Sequence, residues 1–565
     1  MTALVARPER VRLAGQRHQA TVVTHQRLML IMLLFLGVTA AVVLRIGYLA
    51  LFSDGAARGG AANALLPARG DIVDRNGQPL ARSIDAWTIG VHPAKIIGDR
   101  EEIAVRLARL MPERSAAEYL EILTSGRTFQ FLRRRALPEL VAAVNAIGEP
   151  GLAFDREPDR LYPQAGLGAH VLGWTDIDGH GAAGMEKVLD AALTDPARRG
   201  APTALAIDSR VQAAMESELA AAMTSLQAIG ATGVVLDVRT GELLALASLP
   251  AYNPNAAGRF ALDTRFNRAT MGVYELGSTF KPITVAAAME AGVIKSLGQR
   301  YDAAHAVAVG RFRINDSHPI GRSITIPEML IHSSNIVTAR ISDQMGAERM
   351  AHAFRQLGFD EPAHVELPEK GRTLWPGDWG RATIMNTGFG HGIAVTPLHL
   401  ATAYATLVNG GVWRPATLMK LGPDQVPRGR RVYSEETSAR MRQMLRLIVT
   451  EGTGKKAEAP GYRVGGKTGT AEKPKDGGYA RKSLVSTFAA AFPMDDPRYV
   501  VIAMLDEPKG NAETFGIATA GWTAAPVVSK VVSRIGPLLG VLPDERRDVD
   551  VSDLMPLIWK AKGAR

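Results

Sequence analysis

Three short motifs, Ser278-Thr279-Phe280-Lys281, Ser333-Ser334-Asn335 and Lys467-Thr468-Gly469-Thr470, each occur once in the 565-residue chain. They lie far apart, and local patterning gives each a different setting. The first opens an apolar run, residues 282–290, that reads as a buried helix with proline tolerated in its first turn. The second sits between Ile331-His332 and Ile336-Val337, which suggests a short loop at a helix start. The third follows Val464-Gly465-Gly466 and precedes Ala471, small residues suited to a strand edge that another backbone can approach. A fold that uses all three must bring a helix, a loop and a strand to one point. Taken singly they decide little, since a serine three residues before a lysine arises about once or twice by chance at this length.

Residues i and i+3 share a helix face, so Lys281 can reach the Ser278 hydroxyl. Serine is a poor nucleophile at neutral pH and needs an adjacent base. Lysine can be that base only when neutral, and burial or a second cation would lower its pKa. Lys467 is the candidate second cation. Gly277, after Tyr274-Glu275-Leu276, stands where a turn would deliver the serine to a helix N-terminus. Plainer readings exist for each motif: a serine N-cap with a surface lysine, a second N-cap, a polar turn. None accounts for the ordered set. The order S-x-x-K, S-x-N, K-T-G-T resembles the acyl-transfer set of penicillin-binding proteins and active-site serine β-lactamases. That resemblance places the Ser333 hydroxyl in a proton relay and the Asn335 amide on the substrate backbone. Lys467, Thr468 and Thr470 suit a terminal carboxylate, with Gly469 leaving room for the substrate strand. Backbone N–H groups of Ser278 and Thr470 would form the oxyanion hole.

The resemblance extends well beyond the triplet. Arg69-Gly70-Asp71-Ile72-Val73-Asp74-Arg75-Asn76-Gly77, Arg160-Leu161-Tyr162-Pro163, Ala169-His170-Val171-Leu172-Gly173 and Gly181-Ala182-Ala183-Gly184-Met185-Glu186 match non-catalytic signatures. Together they resemble a class B, monofunctional penicillin-binding protein, most closely the division-specific peptidoglycan transpeptidases of the FtsI family (penicillin-binding protein 3). One departure is Glu275-Leu276-Gly277-Ser278, where many relatives have proline before the glycine. The implied fold is multidomain and mixed, α+β or α/β. It comprises one N-terminal transmembrane helix, a mixed pedestal domain and a penicillin-recognition, serine β-lactamase-like transpeptidase domain. The implied reaction is D,D-transpeptidation of peptidoglycan stem peptides through a Ser278 acyl-enzyme, the same serine that β-lactams attack. No metal or organic cofactor is implied. An FtsW-type glycosyltransferase and other division proteins are the implied partners.

Composition agrees with an exported, tethered enzyme. The absence of cysteine excludes disulfides, thiolate nucleophiles and cysteine-based metal sites, and fits an oxidising compartment. The net charge of +10 is spread along the chain, and no nucleic-acid-binding motif accompanies it. An anionic wall polymer or lipid surface suits it as well. Residues 28–44 form a run without charge, roughly 25 Å of helix at 1.5 Å per residue. Snorkelling of Arg45 would extend the span to Phe52. Arg7, Arg10, Arg12, Arg17 and Arg27 precede it against only Glu9, so the tail should stay cytoplasmic and the rest lie outside an inner membrane. A cleaved signal peptide is the alternative, but the apolar run continues past the small residues Thr39-Ala40-Ala41.

These signals divide the chain into a cytoplasmic tail (1–27), a signal anchor (28–52) and a Gly/Ala-rich linker (53–66). A pedestal (67–204), a transpeptidase domain (205–543) and a C-terminal tail (544–565) follow. In the pedestal, residues 87–91 read as a strand and residues 101–110 as an amphipathic helix, with His170 and His180 as structural histidines. Residues 209–223 read as a helix, and 233–238 with 242–246 as a hairpin across Arg239-Thr240-Gly241. A second strand pair, 486–492 with 499–505, precedes a closing helix at 524–539. The tail reads as mobile, with an apolar patch at 554–559 of no evident use.

Rival readings leave sequence traces. A β-lactamase needs a deacylating glutamate followed closely by asparagine, and Glu366-Leu367-Pro368-Glu369-Lys370-Gly371 lacks the asparagine. A β-lactam sensor needs a cytoplasmic output domain, for which 27 residues are too few, and a non-enzymatic scaffold would be expected to lose motif residues. The elongation-specific transpeptidase of the same class is the nearest alternative, against which Ser333-Ser334-Asn335 and the compact pedestal favour division.

Overall fold

The structure is a computed structural model that describes residues 25–45, 69–198, 201–310, 312–475 and 478–559. The chain divides into two compact units, residues 1–66 and 67–565. In the first, helix α1 (His25–Arg45) contains an 18-residue stretch with a mean hydropathy of 2.5, none of it buried. Its 21 residues span about 31 Å, close to the thickness of a bilayer's hydrocarbon core. That length and composition are consistent with a single-pass membrane anchor. The expected extension to Phe52, the linker and most of the N-terminal tail fall outside the described residues.

The second unit opens with two small sheets. One joins Ile72–Val73 to Pro79–Ile84 and Asp159–Leu161, and also runs parallel to Thr203–Ala204. The other sets Trp87–Val91 between Gln130–Ala136 and Leu152–Arg156. Its core includes Leu107, Tyr119 and Val144 from three flanking helices. Trp87–Val91 is the strand read from sequence, and the amphipathic helix spans Arg100–Leu110. Signatures distant in sequence meet at one buried ion cluster. The fully buried Glu186 carboxylate accepts from Arg69 Nε and Arg160 Nε, each at 2.7 Å. A carboxylate removed from water needs such partners, and losing either would leave a buried charge short of one. His170 is structural, its Nε2 lying 2.9 Å from the Thr264 carbonyl and its ring edge-on to Tyr252. Asp74 ties this region to the next by accepting from Ser209 Oγ at 2.7 Å.

Helix α2 (Ser209–Ser225) leads into strands β1 (Gly230–Asp237) and β2 (Leu243–Leu249). The helices that follow include α3 (Lys281–Glu290), α4 (Ile326–His332), α5 (Asn335–Gln356), α6 (Pro397–Val408) and α7 (Glu435–Thr450). The chain returns through β3 (Gly465–Lys475), β4 (Gly478–Phe492) and β5 (Tyr499–Asp506), then closes with α8 (Ala524–Leu538). The strands form one antiparallel sheet in the order β3-β4-β5-β1-β2. Both faces are buried, which explains the nearly unbroken apolar strands. Along β5, Val501, Ala503 and Leu505 join the core beneath α2 and α8. Val500, Ile502 and Met504 join the core that includes α3, α6 and α7. This two-residue alternation is the pleat dividing one strand between two cores. The hairpin, the second strand pair and the closing helix stand where the sequence places them. At the sheet's edge, β3 has one side free of strand partners among the described residues.

The expectation of a mobile C-terminal tail needs correcting through residue 559. Leu554 is buried in the main core, and Val549, Val551, Met555, Leu557 and Ile558 pack against it. Asp548 accepts from Arg446 Nε at 2.8–2.9 Å, and the Asp550 carbonyl accepts from Gln443 Nε2 at 2.7 Å. The segment's polar groups thus find cationic and amide partners on α7.

Candidate active site

Ser278 lies in a tight 3-10 turn, Gly277–Phe280, that runs directly into α3. Gly277 has φ +53°, and the turn is wedged between two other backbones. A Cβ on Gly277 would meet the Thr470 carbonyl oxygen at 2.9 Å. One on Gly469 would meet the Leu276 carbonyl oxygen at 2.3 Å. Glycine at both positions lets the edge strand β3 lie against the serine turn, since a backbone obstacle cannot swing aside. Tyr404, fully buried in α6, donates its hydroxyl to the Thr279 carbonyl at 2.9 Å and fixes the turn from beneath.

The second motif follows from how α4 ends and α5 begins. Ser333 terminates α4 in the left-handed region, φ +58°, and Ser334 caps α5 by accepting from the Val337 N–H at 3.1 Å. The plain N-cap reading is therefore correct for Ser334, which frees its neighbours to face Lys281. Lys281 is completely buried. Its Nζ donates to the Ser333 carbonyl at 2.5 Å and to Asn335 Oδ1 at 2.7 Å, and lies 3.1 Å from Ser333 Oγ. Among the described residues Lys281 makes no hydrogen bond to Ser278, so the contact expected from i, i+3 spacing is not formed here. Asn335 also differs from expectation. Its Oδ1 is committed to Lys281, while its Nδ2 donates to the Asn315 carbonyl at 3.2 Å.

On β3 the side chains alternate. Thr468 and Thr470 line a cleft of about 510 Å³ with Ser278, Ser333 and Asn335. Lys467 and Gly469 belong to the opposite face of the strand. Lys467 is fully buried, its Nζ 3.0 Å from Thr468 Oγ1. Thr468 Oγ1 also shares a hydrogen bond with Thr453 Oγ1 at 2.9 Å. Thr470 Oγ1 accepts from the Ala520 N–H at 3.0 Å, a partner not anticipated for it. Burial pushes Lys467 down to about 7. Lys281 is held well below the ordinary lysine range, first by burial and then by the Lys467 charge, with Asp316 opposing. The site thus contains a hydroxyl at a turn, a buried amine poised to be neutral, and a second buried amine beside Thr468. Such a set can deprotonate a serine and receive an acyl group.

Residues 231–532, more than half the chain, match the family described as Penicillin binding protein transpeptidase domain. The chain belongs to this family. Residues 64–195 of this penicillin-binding protein match the Penicillin-binding Protein dimerisation domain. The chain is 42% identical over 532 residues to the probable peptidoglycan D,D-transpeptidase FtsI of Caulobacter vibrioides, covering 92% of this chain and 89% of that one. It is 29% identical to the peptidoglycan D,D-transpeptidase FtsI of Escherichia coli K12, covering 88% of each. Among solved structures it resembles penicillin-binding protein 3 of Mycobacterium tuberculosis complexed with aztreonam. The TM-score there is 0.67 at 28% identity, over 85% of this chain and 98% of that one.

Several residues of the site are invisible to motif reading. Asp316 accepts from Ser334 Oγ at 2.7 Å and from the Ile336 N–H at 3.0 Å, pinning the second motif from outside it. His391 and Trp522 line the cleft from loops with no periodic signal. Glu366 accepts from the Leu418 N–H at 2.8 Å and does not line the cleft.

Proposed function

We propose that the protein cross-links peptidoglycan stem peptides at the division septum as a D,D-transpeptidase, with Ser278 as the acyl-enzyme nucleophile. The observation that carries this reading is the setting of Lys281, a fully buried amine held by Ser333 and Asn335. A neutral amine has two N–H donors and one lone pair. The Ser333 carbonyl and Asn335 Oδ1 take the donors, which leaves the lone pair to receive the serine proton, directly or through Ser333 Oγ. Ser278 Oγ then attacks the carbonyl between the last two D-alanines, and its proton passes by way of Lys281 to the departing amine. An amine of a second stem peptide attacks the ester, a C–N bond forms, and Ser278 recovers a proton. Lys467 and the Thr468 and Thr470 hydroxyls position the terminal carboxylate, and the N–H groups of Ser278 and Thr470 receive the oxyanion.

The arginine-rich tail and α1 support a single-pass topology in the inner membrane, N-terminus cytoplasmic and Ser278 outside. In that setting an FtsW-type glycosyltransferase, which would supply the strands to be cross-linked, is the expected partner. Fluorescent penicillin tests the chemistry. It should label wild-type protein covalently at Ser278, and Ser278→Ala should remain folded and unlabelled. Label found on any other residue of that variant would remove the assignment.

A further inference from the structure

The apolar patch at 554–559 is left without a role by the reaction above, yet its contacts lead to the catalytic lysine. Glu328, in the first turn of α4, is a fully buried carboxylate with every oxygen occupied. Its Oε2 accepts from the Thr325 N–H at 2.9 Å, closing the capping box that starts the helix. Its Oε1 accepts from Arg322 Nη2 at 2.7 Å and from the backbone N–H of Trp559 at 2.9 Å. Thr325 Oγ1, the other half of the box, donates to the Leu557 carbonyl at 2.9 Å. The Arg322 guanidinium stacks 4.8 Å over the Trp559 ring. Upstream, Asp553 pairs with Arg440 of α7, and Leu554 is 2% exposed. The far end of α4, only 7 residues long, is Ser333. The Ser334 N–H bonds the Met329 carbonyl at 3.0 Å, so the helix sets where the Ser333 carbonyl meets Lys281.

We infer that residues 549–559 form a positioning strap for the acyl-transfer site, acting through Glu328 and the start of α4 to hold Ser333 against Lys281. The strap is distinct from ordinary packing because it completes the hydrogen bonding of a buried carboxylate that anchors a catalytic loop. None of its residues lines the cleft. Without it, Glu328 Oε1 loses a backbone donor and Thr325 loses an acceptor. The first turn of α4 then loosens, and misplacement of about 1 Å at a catalytic group costs up to roughly a hundredfold in rate. Loosening also admits water to Lys281, whose low pKa owes most to burial. The charged and titratable groups bearing on that lysine are Lys467, Asp316 and His391, none of them on α4 itself.

This inference rests on the reading of Ser278 as the acylated residue. The test is the acylation rate of the full-length, detergent-solubilised protein by fluorescent penicillin, measured against pH together with thermal melting. It compares wild type, a chain stopped after Asp548, and Glu328→Gln. The stopped chain should acylate about ten- to a hundredfold more slowly, with its acidic limb moved to higher pH and its melting still cooperative. A synthetic peptide of residues 549–559 should restore both rate and limb in a saturable manner. Glu328→Gln, which keeps the strap but weakens its anchor, should fall between the two. An unchanged rate and limb in both variants would overturn the strap while leaving the function standing. A rate that falls only in proportion to unfolded protein, with the limb fixed, would overturn it equally. Wild type that takes no label would overturn both readings.

Discussion

With Lys281 and Lys467 both stripped of water in one site, the order in which they lose protons decides what the site can do. Lys281 is held well below the ordinary lysine range by burial and then by the Lys467 charge. Burial alone brings Lys467 down to about 7. The productive form has Lys281 neutral and Lys467 cationic, so kcat/KM for acylation should be bell-shaped. Activity rises with pH as Lys281 is deprotonated and falls as Lys467 loses its charge near pH 7. A bound carboxylate favours the charged Lys467, so kcat should hold to higher pH than kcat/KM. Lys467→Arg should carry the alkaline limb of kcat/KM upward, and an unmoved limb in that variant would assign it to another group. Stability runs with the opposite consequence. The folded pKa of Lys467 lies below its unfolded value of about 10.5, so the unfolded chain binds more protons between those values. Stability contributed through Lys467 therefore rises from about pH 7 to about pH 10.5. Melting temperatures of wild type and Lys467→Met across that window would check it, the variant showing the flatter rise. Lys281→Ala should lower acylation about 10²–10⁴-fold, whereas Thr470→Ala keeps its backbone N–H and should cost much less. Rapid-mixing rates with labelled penicillin would separate the two.

Among the elements, the critical contact is between β3 and the serine turn. Gly469 faces the Leu276 carbonyl and Thr279 Cγ2, 2.3 and 2.7 Å from where a Cβ would stand. Gly469→Ala must push the strand and the turn apart, and acylation should drop about ten- to a hundredfold while the sheet still melts cooperatively. Near-normal acylation by that variant would mean the approach is not needed. Which elements could be read from sequence follows from where their information lies. The hairpin around Arg239-Thr240-Gly241 and helix α3 are specified by adjacent residues, and they stand where the sequence places them. Lys281 and Lys467 were legible because a motif ties each to a chemical task. Asp316 was not, because its partners Ser334 and Ile336 lie beyond a loop and the whole of α4. The C-terminal strap was misread for the same reason. Asp548, Asp550 and Asp553 look like a solvated acidic stretch until Arg446, Gln443 and Arg440 of α7 are folded beside them. The Ser278–Lys281 contact was over-read. Helical spacing permits it, but Ser333 and Asn335 hold the amine instead.

For the whole molecule, the anchor and the catalytic fold are separable in construction, because residues 67–565 form a compact unit of their own. Removing residues 1–52 should therefore give a soluble protein that fluorescent penicillin labels at the wild-type rate. The same fragment, exported to the periplasm, should not sustain division. A tether would confine the enzyme to the membrane plane and raise its effective concentration beside the proposed glycosyltransferase. Full complementation by the untethered fragment would show the anchor dispensable. Orientation is tested separately by a reporter that works only in the periplasm. Fused after Arg565 it should be active, and after Arg27 inactive, as the positive-inside rule expects from the arginines at 7, 10, 12, 17 and 27. Activity at both junctions would mean that the tail is carried across, which would place the catalytic unit on the same side for a different reason.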